Sequence, residues 1–184
     1  MDTNTLIVVA VAVIVVAVAV ALLLSRRRTD ALRARFGPEY ERAVVSAGKV
    51  GEAERMLEER EKRVARFNLR PISADEAERF TNSWKSVQAR FVDDPRNAVV
   101  EGDRLITEVM RARGYPVDDP DRRIDDLSVE HANVIDHYRA GRAIALRHEQ
   151  GQASTEDLRQ AMVHFRALFE ELVSRATHAV RRAS

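Results

Sequence analysis

The chain has 184 residues, 45% hydrophobic and 32% charged, with 30 Lys and Arg against 29 Asp and Glu and a formal charge of +1. Setting aside the first 28 residues, Thr29 to Ser184 is 156 residues long, carries 27 basic against 28 acidic side chains and is about 40% apolar. That balance excludes a basic nucleic-acid-binding domain and a disordered polyelectrolyte, and the length suits one core rather than two.

The first predicted element is the run Leu6 to Leu24, nineteen residues of Leu, Ile, Val and Ala only. As a helix it rises about 28 Å, close to the hydrocarbon thickness of a bilayer. Ten of the nineteen are β-branched, but a lone strand in lipid leaves its backbone polar groups unsatisfied, so a transmembrane helix is expected. A cleaved signal peptide is the rival reading. It fits poorly, because Met1 to Thr5 has no basic residue and the Ala-x-Ala triplets between Ala17 and Ala21 lie inside the apolar run. Arg26, Arg27, Arg28, Arg33 and Arg35 all follow the span. Basic residues near a span stay in the cytoplasm, which predicts residues 1–5 outside and the rest inside. The same five arginines are the candidate contacts for anionic lipid head groups, although a topology signal is the simpler role. Ala17 and Ala21 form a small-xxx-small pair, a weak pointer to a homo-oligomer. With no cysteine, the chain has neither a disulfide framework nor a thiol nucleophile.

Beyond a basic juxtamembrane segment, 25–37, Gly37-Pro38 is expected to stop one helix and start the next. A long charged helix is predicted from about Pro38 to Phe67, weakened at Gly48 and Gly51, with Glu58 to Lys62 and Glu59 to Arg63 pairs along it. It reads equally as a coiled-coil arm or as a solvated outer helix. Ser73-Ala-Asp-Glu76 has the capping-box pattern, and Phe80, Trp84, Val87 and Phe91 follow on one face. Asp94-Pro95 starts another helix, with Val99, Leu105, Ile106, Val109 and Met110 for burial, ended by Gly114. A short helix around Arg122 to Leu127 interrupts an irregular aspartate-rich stretch. Ser128-Val-Glu-His is predicted to cap a helix reaching Glu149, with Ile135, Tyr138, Ile144 and Leu146 buried. Gly151 ends it. Ser154 and Thr155 open a last helix with the stripe Leu158, Met162, Phe165, Phe169, Leu172 and Ala176, and Arg181 and Arg182 suit its end. The expectation is an all-α fold: one transmembrane helix (6–24) followed by a five- or six-helix cytoplasmic bundle within 38–184.

No catalytic, cofactor-binding or metal-binding constellation emerges from spacing. His131, His137, His148, His164 and His178 lack both the Glu-x-x-His of di-iron bundles and the i,i+4 partner of zinc proteases. Asp118, Asp119, Asp121, Asp125 and Asp126 do not fit a twelve-residue calcium loop, and Arg122 and Arg123 offset their charge. Gly48-Lys-Val-Gly51 is not a phosphate-binding loop, and no Gly-x-Ser-x-Gly is present.

Four blocks carry a resemblance: Arg35-Phe-Gly-Pro-Glu-Tyr40, Gln88-Ala-Arg-Phe-Val-Asp-Asp94, Met110-Arg-Ala-Arg-Gly-Tyr-Pro-Val-Asp-Asp119, and Ser154-Thr-Glu-Asp-Leu-Arg-Gln-Ala-Met-Val-His-Phe-Arg-Ala-Leu-Phe-Glu-Glu-Leu172. On these the chain resembles a family of small uncharacterised bacterial proteins with one N-terminal membrane helix. The resemblance implies a bacterial inner-membrane location and a shared helical fold, and it implies no activity and no site residue. The functional expectation is a non-enzymatic, single-pass scaffold or adaptor without a cofactor, whose partners are the lipid bilayer and a protein, not nucleic acid. The helix from Pro38 to Phe67 is the first candidate surface. A small-molecule or metal-binding sensor or enzyme domain tethered to the membrane is the alternative.

Overall fold

A computed structural model describes the backbone from Asp2 to Ala183 and, within it, the side chains of Asp2 and of residues 11–120 and 122–174. The fold is all-α, with eight helices and no strand among the described residues. The chain divides into two compact units, Met1–Leu57 and Glu58–Ser184.

In the first unit, α1 (Thr3–Phe36) continues past the apolar run through the arginines and ends at Gly37. Gly37 has φ +50 and its N–H donates to the Arg33 carbonyl at 2.9 Å; Pro38 then opens α2 (Pro38–Ala47). The Gly-Pro stop is as expected, because only glycine takes a positive φ cheaply while proline has no N–H to waste at N1. The long helix expected from Pro38 to Phe67 is instead two. Gly48, at φ +71, takes the left-handed cap position, its N–H donating to Val44 O, and α3 (Val50–Val64) begins after it. The break accounts for seven helices after α1 rather than five or six. Leu32, Phe36, Tyr40, Ala43, Ala53 and Leu57 are buried. Beside them is a carboxylate that patterning did not place there: Glu54, 5% exposed, accepts from Thr29 Oγ1 at 2.6 Å and Tyr40 Oη at 3.0 Å, with Arg28 Nε at 3.8 Å. Burial, and secondarily the hydrogen bond to Glu54, pushes the Tyr40 hydroxyl above its ordinary pKa.

Along α1 from Val11 to Leu24 every described side chain is exposed. Leu6 to Ala10 lie outside the described side chains, and among the described residues no helix is long and apolar enough to cross a membrane.

The second unit holds α4 (Ala74–Arg90), α5 (Pro95–Ala112), α6 (Pro120–Glu130), α7 (Ile135–Glu149) and α8 (Thr155–Ala183). Several starts follow the local signals. Ser73 and Glu76 close a full capping box, Asp94 Oδ1 accepts from Asn97 N ahead of Pro95 at N1, and Ser154 and Asp157 bond reciprocally at the start of α8. The exception is Ser128. It does not cap a helix to Glu149 but lies buried in the last turn of α6, donating to Asp125 O at 2.6 Å; α7 starts only at Ile135. The C-terminal half of α3 is held against α6, with Arg60 on Asp125 at 2.8 Å and Arg63 on Asp126 at 2.7 Å. Arg63 thereby reaches across to another helix as well as having Glu59 behind it in sequence, and a free coiled-coil arm is not what this half forms.

The core forms around α8, which packs against α7, α5 and α4. Leu158, Met162, Phe165, Phe169 and Leu172 are buried as the stripe requires, while Ala176, His178, Arg181 and Arg182 lie outside the described side chains. Leu146 departs from expectation at 48% exposed. Phe165 is fully buried between two glycines on neighbouring helices. A Cβ on Gly102 of α5 would lie 3.5 Å from Phe165 Cδ2, and one on Gly141 of α7 only 2.6 Å from Phe165 Cε1. The missing side chain at Gly141 is thus what lets α7 approach α8. Tyr138 donates to Asp103 Oδ1 at 3.2 Å, and burial, aided by the Asp103 charge, pushes its pKa up to about 12.

Candidate functional site

Among the described residues, three places collect polar or aromatic groups in a way that could serve recognition. The first is the set of arginines after the apolar run, which the first unit separates into two kinds. Arg28 reaches the buried Glu54, and Arg33 lies over the Tyr40 ring at 5.0 Å with Glu41 at 3.5 Å. Both help hold α1 to α2 and α3. Arg35 is exposed and engaged in contacts of its own. Arg26 and Arg27 are exposed on α1 and form no ion pair among the described residues. Two of the five predicted contacts therefore keep their charges fully available to an anion outside the protein.

The second place is a groove between α4 and α8. α4 and α8 touch each other as well as α5, and an open furrow of about 710 Å³ runs along their seam. Trp84 and Phe169 stack at its base, ring centroids 4.8 Å apart and 15° from parallel, with Val173 and Ala77 beside them. Thr81, Lys85 and Gln88 form one wall; the other carries Arg166, paired with Glu170 at 2.6 Å. A smaller extension of about 180 Å³ shares Gln88 and Arg166 and ends at Phe91 and Met162. Trp84 is 4% exposed, yet its Nε1–H has no hydrogen-bond partner among the described residues. Leaving such a donor buried and unmet costs about 1–3 kcal/mol. The helical spacing identifies Trp84 as a core residue, and it is one; that it also lines a groove depends on how α4 and α8 meet, which no local pattern encodes.

The third place comprises the histidines and aspartates. Among the described residues no three of His, Cys, Asp and Glu gather in a metal-holding group. His131 is fully buried, with Nδ1 3.4 Å from Glu171 Oε1. His137 and His164 come together across α7 and α8, their Nδ1 atoms 3.0 Å apart. Three of the aspartates are occupied structurally: Asp119 accepts from the Arg122 amide at the start of α6, and Asp125 and Asp126 hold Arg60 and Arg63. The side chain of Asp121 lies outside the described residues.

The chain matches no protein-family model, no curated protein and no solved structure. The resemblance carried by Arg35 to Tyr40, Gln88 to Asp94, Met110 to Asp119 and Ser154 to Leu172 therefore rests on those residues alone.

Proposed function

We propose that the protein is a single-pass, membrane-anchored helical adaptor, with α1 crossing the bacterial inner membrane between Leu6 and Leu24 and the helical units on the cytoplasmic side. The observation that carries this reading is the outward-facing apolar surface of α1: Val11, Ile14, Val18, Leu22 and their neighbours are about half exposed or more on every side of the helix. A helix apolar all round requires an apolar surrounding, and a continuous patch of this kind in water would aggregate. Arg26 and Arg27 then meet the anionic head groups, each contributing about 1 kcal/mol near the surface.

The adaptor surface in this proposal is the α4/α8 groove, and its occupant an amphipathic helix of a cytoplasmic protein. Stacked aromatics in a desolvated base flanked by charged residues are the usual makings of an interface anchor. The surface first suspected, Pro38 to Phe67, is the weaker candidate, because Arg60 and Arg63 are committed to α6.

A photoreactive residue placed at Thr81, in the full chain in native membranes, is expected to capture a discrete partner; one placed at Val45, 83% exposed on α2, is not. The same product from both positions, or none from Thr81, would contradict the groove as the docking surface. Trp84→Phe should leave stability within about 1 kcal/mol of wild type, because it removes an unmet donor, while reducing capture at Thr81.

A further inference from the structure

Two imidazoles meet at the margin of the tightest helix contact in the second unit. His137, in the first turn of α7, is exposed, and His164, mid-way along the described part of α8, is half-buried. Their Nδ1 atoms stand 3.0 Å apart, with ring centroids at 5.3 Å and planes at 44°. The spacing is a product of the packing beneath it. Gly141 lies one turn after His137 on the same face of α7, and a Cβ there would sit 2.6 Å from Phe165 Cε1 and 3.3 Å from the Cβ of His164. Tyr138, next to His137 and fully buried against Phe165 at 6.1 Å, fixes the rotation of α7 about its axis. Both backbones that carry the imidazoles are thus held by close contacts.

Two imidazole lone pairs cannot face each other at 3.0 Å unless an electropositive centre lies between them. In a neutral pair one ring must carry its proton on Nδ1 and donate it to the other. A metal ion is the other centre that answers this geometry. Imidazole nitrogen binds such an ion at about 2.0–2.1 Å, so two donors stand about 2.9 Å apart at a right angle and about 3.3 Å apart at a tetrahedral one, and the observed spacing falls between these.

We propose that His137 and His164 form a two-imidazole site for a late first-row divalent metal ion, bound through Nδ1 of each ring and completed by water. The donor type selects zinc, copper or nickel over calcium and magnesium, which require oxygen ligands. No third His, Cys, Asp or Glu completes the set among the described residues, so the remaining coordination positions stay open to solvent. Reading along each helix could not have found this pair, since its members are 27 residues apart and on different helices.

The test uses the full chain, without an affinity tag, in detergent. Calorimetric titration with Zn²⁺ should give one ion per chain. His137→Gln and His164→Gln should each weaken binding by at least the ~10- to 100-fold that loss of an outer-shell partner costs, while His148→Gln should bind like wild type. Loading the unaltered chain with Cu²⁺ should give an electron paramagnetic resonance spectrum with coupling to two imidazole nitrogens, a readout that needs no variant to fold. Absence of one-to-one Zn²⁺ binding, wild-type affinity in either the His137 or the His164 variant, or coupling to a single nitrogen would overturn the site.

Discussion

The two units place similar side chains in opposite surroundings. In the second, Val99, Ile106, Val109, Leu168 and Leu172 are all turned inward and have almost no exposure; along α1, Val11, Val15, Val16 and Leu23 are as apolar and about half exposed or more. Burial against other helices answers the hydrophobic effect in one case. In the other nothing among the described residues covers the helix, and in the function proposed above the lipid supplies the apolar contact. What the comparison teaches is that apolar content alone does not say where a helix belongs; the direction in which its apolar side chains point does.

The sharpest way to break the comparison is to damage each side separately. Phe165→Ala empties the space between Gly102 and Gly141, and loss of a buried Phe is worth roughly 3–5 kcal/mol. Because Trp84 is the only tryptophan and stacks on Phe169 in this unit, its fluorescence during unfolding reports the second unit alone. The variant should shift that transition strongly and leave membrane association unchanged. Val15→Arg, at the middle of the apolar run, should do the reverse. A charge at the centre of a span costs about 2.5–3.5 kcal/mol, so the chain should move out of the membrane fraction without any change in the Trp84 transition. Equal effects of both variants on both readouts would abolish the distinction between the two surroundings.

A smaller effect separates local from long-range stabilisation. Arg70, and secondarily the Ser73 amide, holds the Glu76 carboxyl down at about 2, against an ordinary value of 4.5. A depressed carboxylate pKa contributes stability that is fully present above about pH 4.5 and is lost as pH falls towards 2. Glu76→Gln should therefore lower stability at neutral pH by about 1 kcal/mol, the usual worth of a helix cap. The loss should shrink over that acid range, where the wild-type carboxylate is itself neutralised. A constant difference between the two proteins down to pH 2 would mean that the charge of Glu76 contributes nothing.

Local signals made much of this fold legible. The capping pairs at Ser73 and Ser154, the Asp94-Pro95 and Gly37-Pro38 junctions and the stripe of α8 each depend on residues within one or two turns of one another, so sequence spacing suffices. Misreadings arose where a distant contact outweighed a local pattern. Ser128 has the right neighbours for a cap but is buried inside α6, and Glu54 lies in a charged stretch whose pattern gives no sign that Thr29 and Tyr40 enclose it. Gly48 was recognised as a weak point, but whether a glycine is tolerated within a helix or ends it depends on the packing on either side. The α4/α8 groove and the His137 and His164 pair were illegible for the same reason: each is made by two helices whose spacing is set elsewhere, the second by Gly141 against Phe165. Of the arginines, the sequence marked all five equally, and only the positions of Glu54 and Tyr40 separate Arg28 and Arg33 from Arg26 and Arg27.

The proposed anchor and its orientation are tested most directly by thiol labelling, for which the absence of cysteine provides a clean background. With Thr3→Cys and Ser154→Cys made singly in the full chain, a membrane-impermeant thiol reagent applied to intact cells stripped of their outer barrier should label position 3 at once and position 154 only after the inner membrane is opened. Labelling of position 154 in the sealed state, or recovery of the chain from the soluble fraction, would contradict the account.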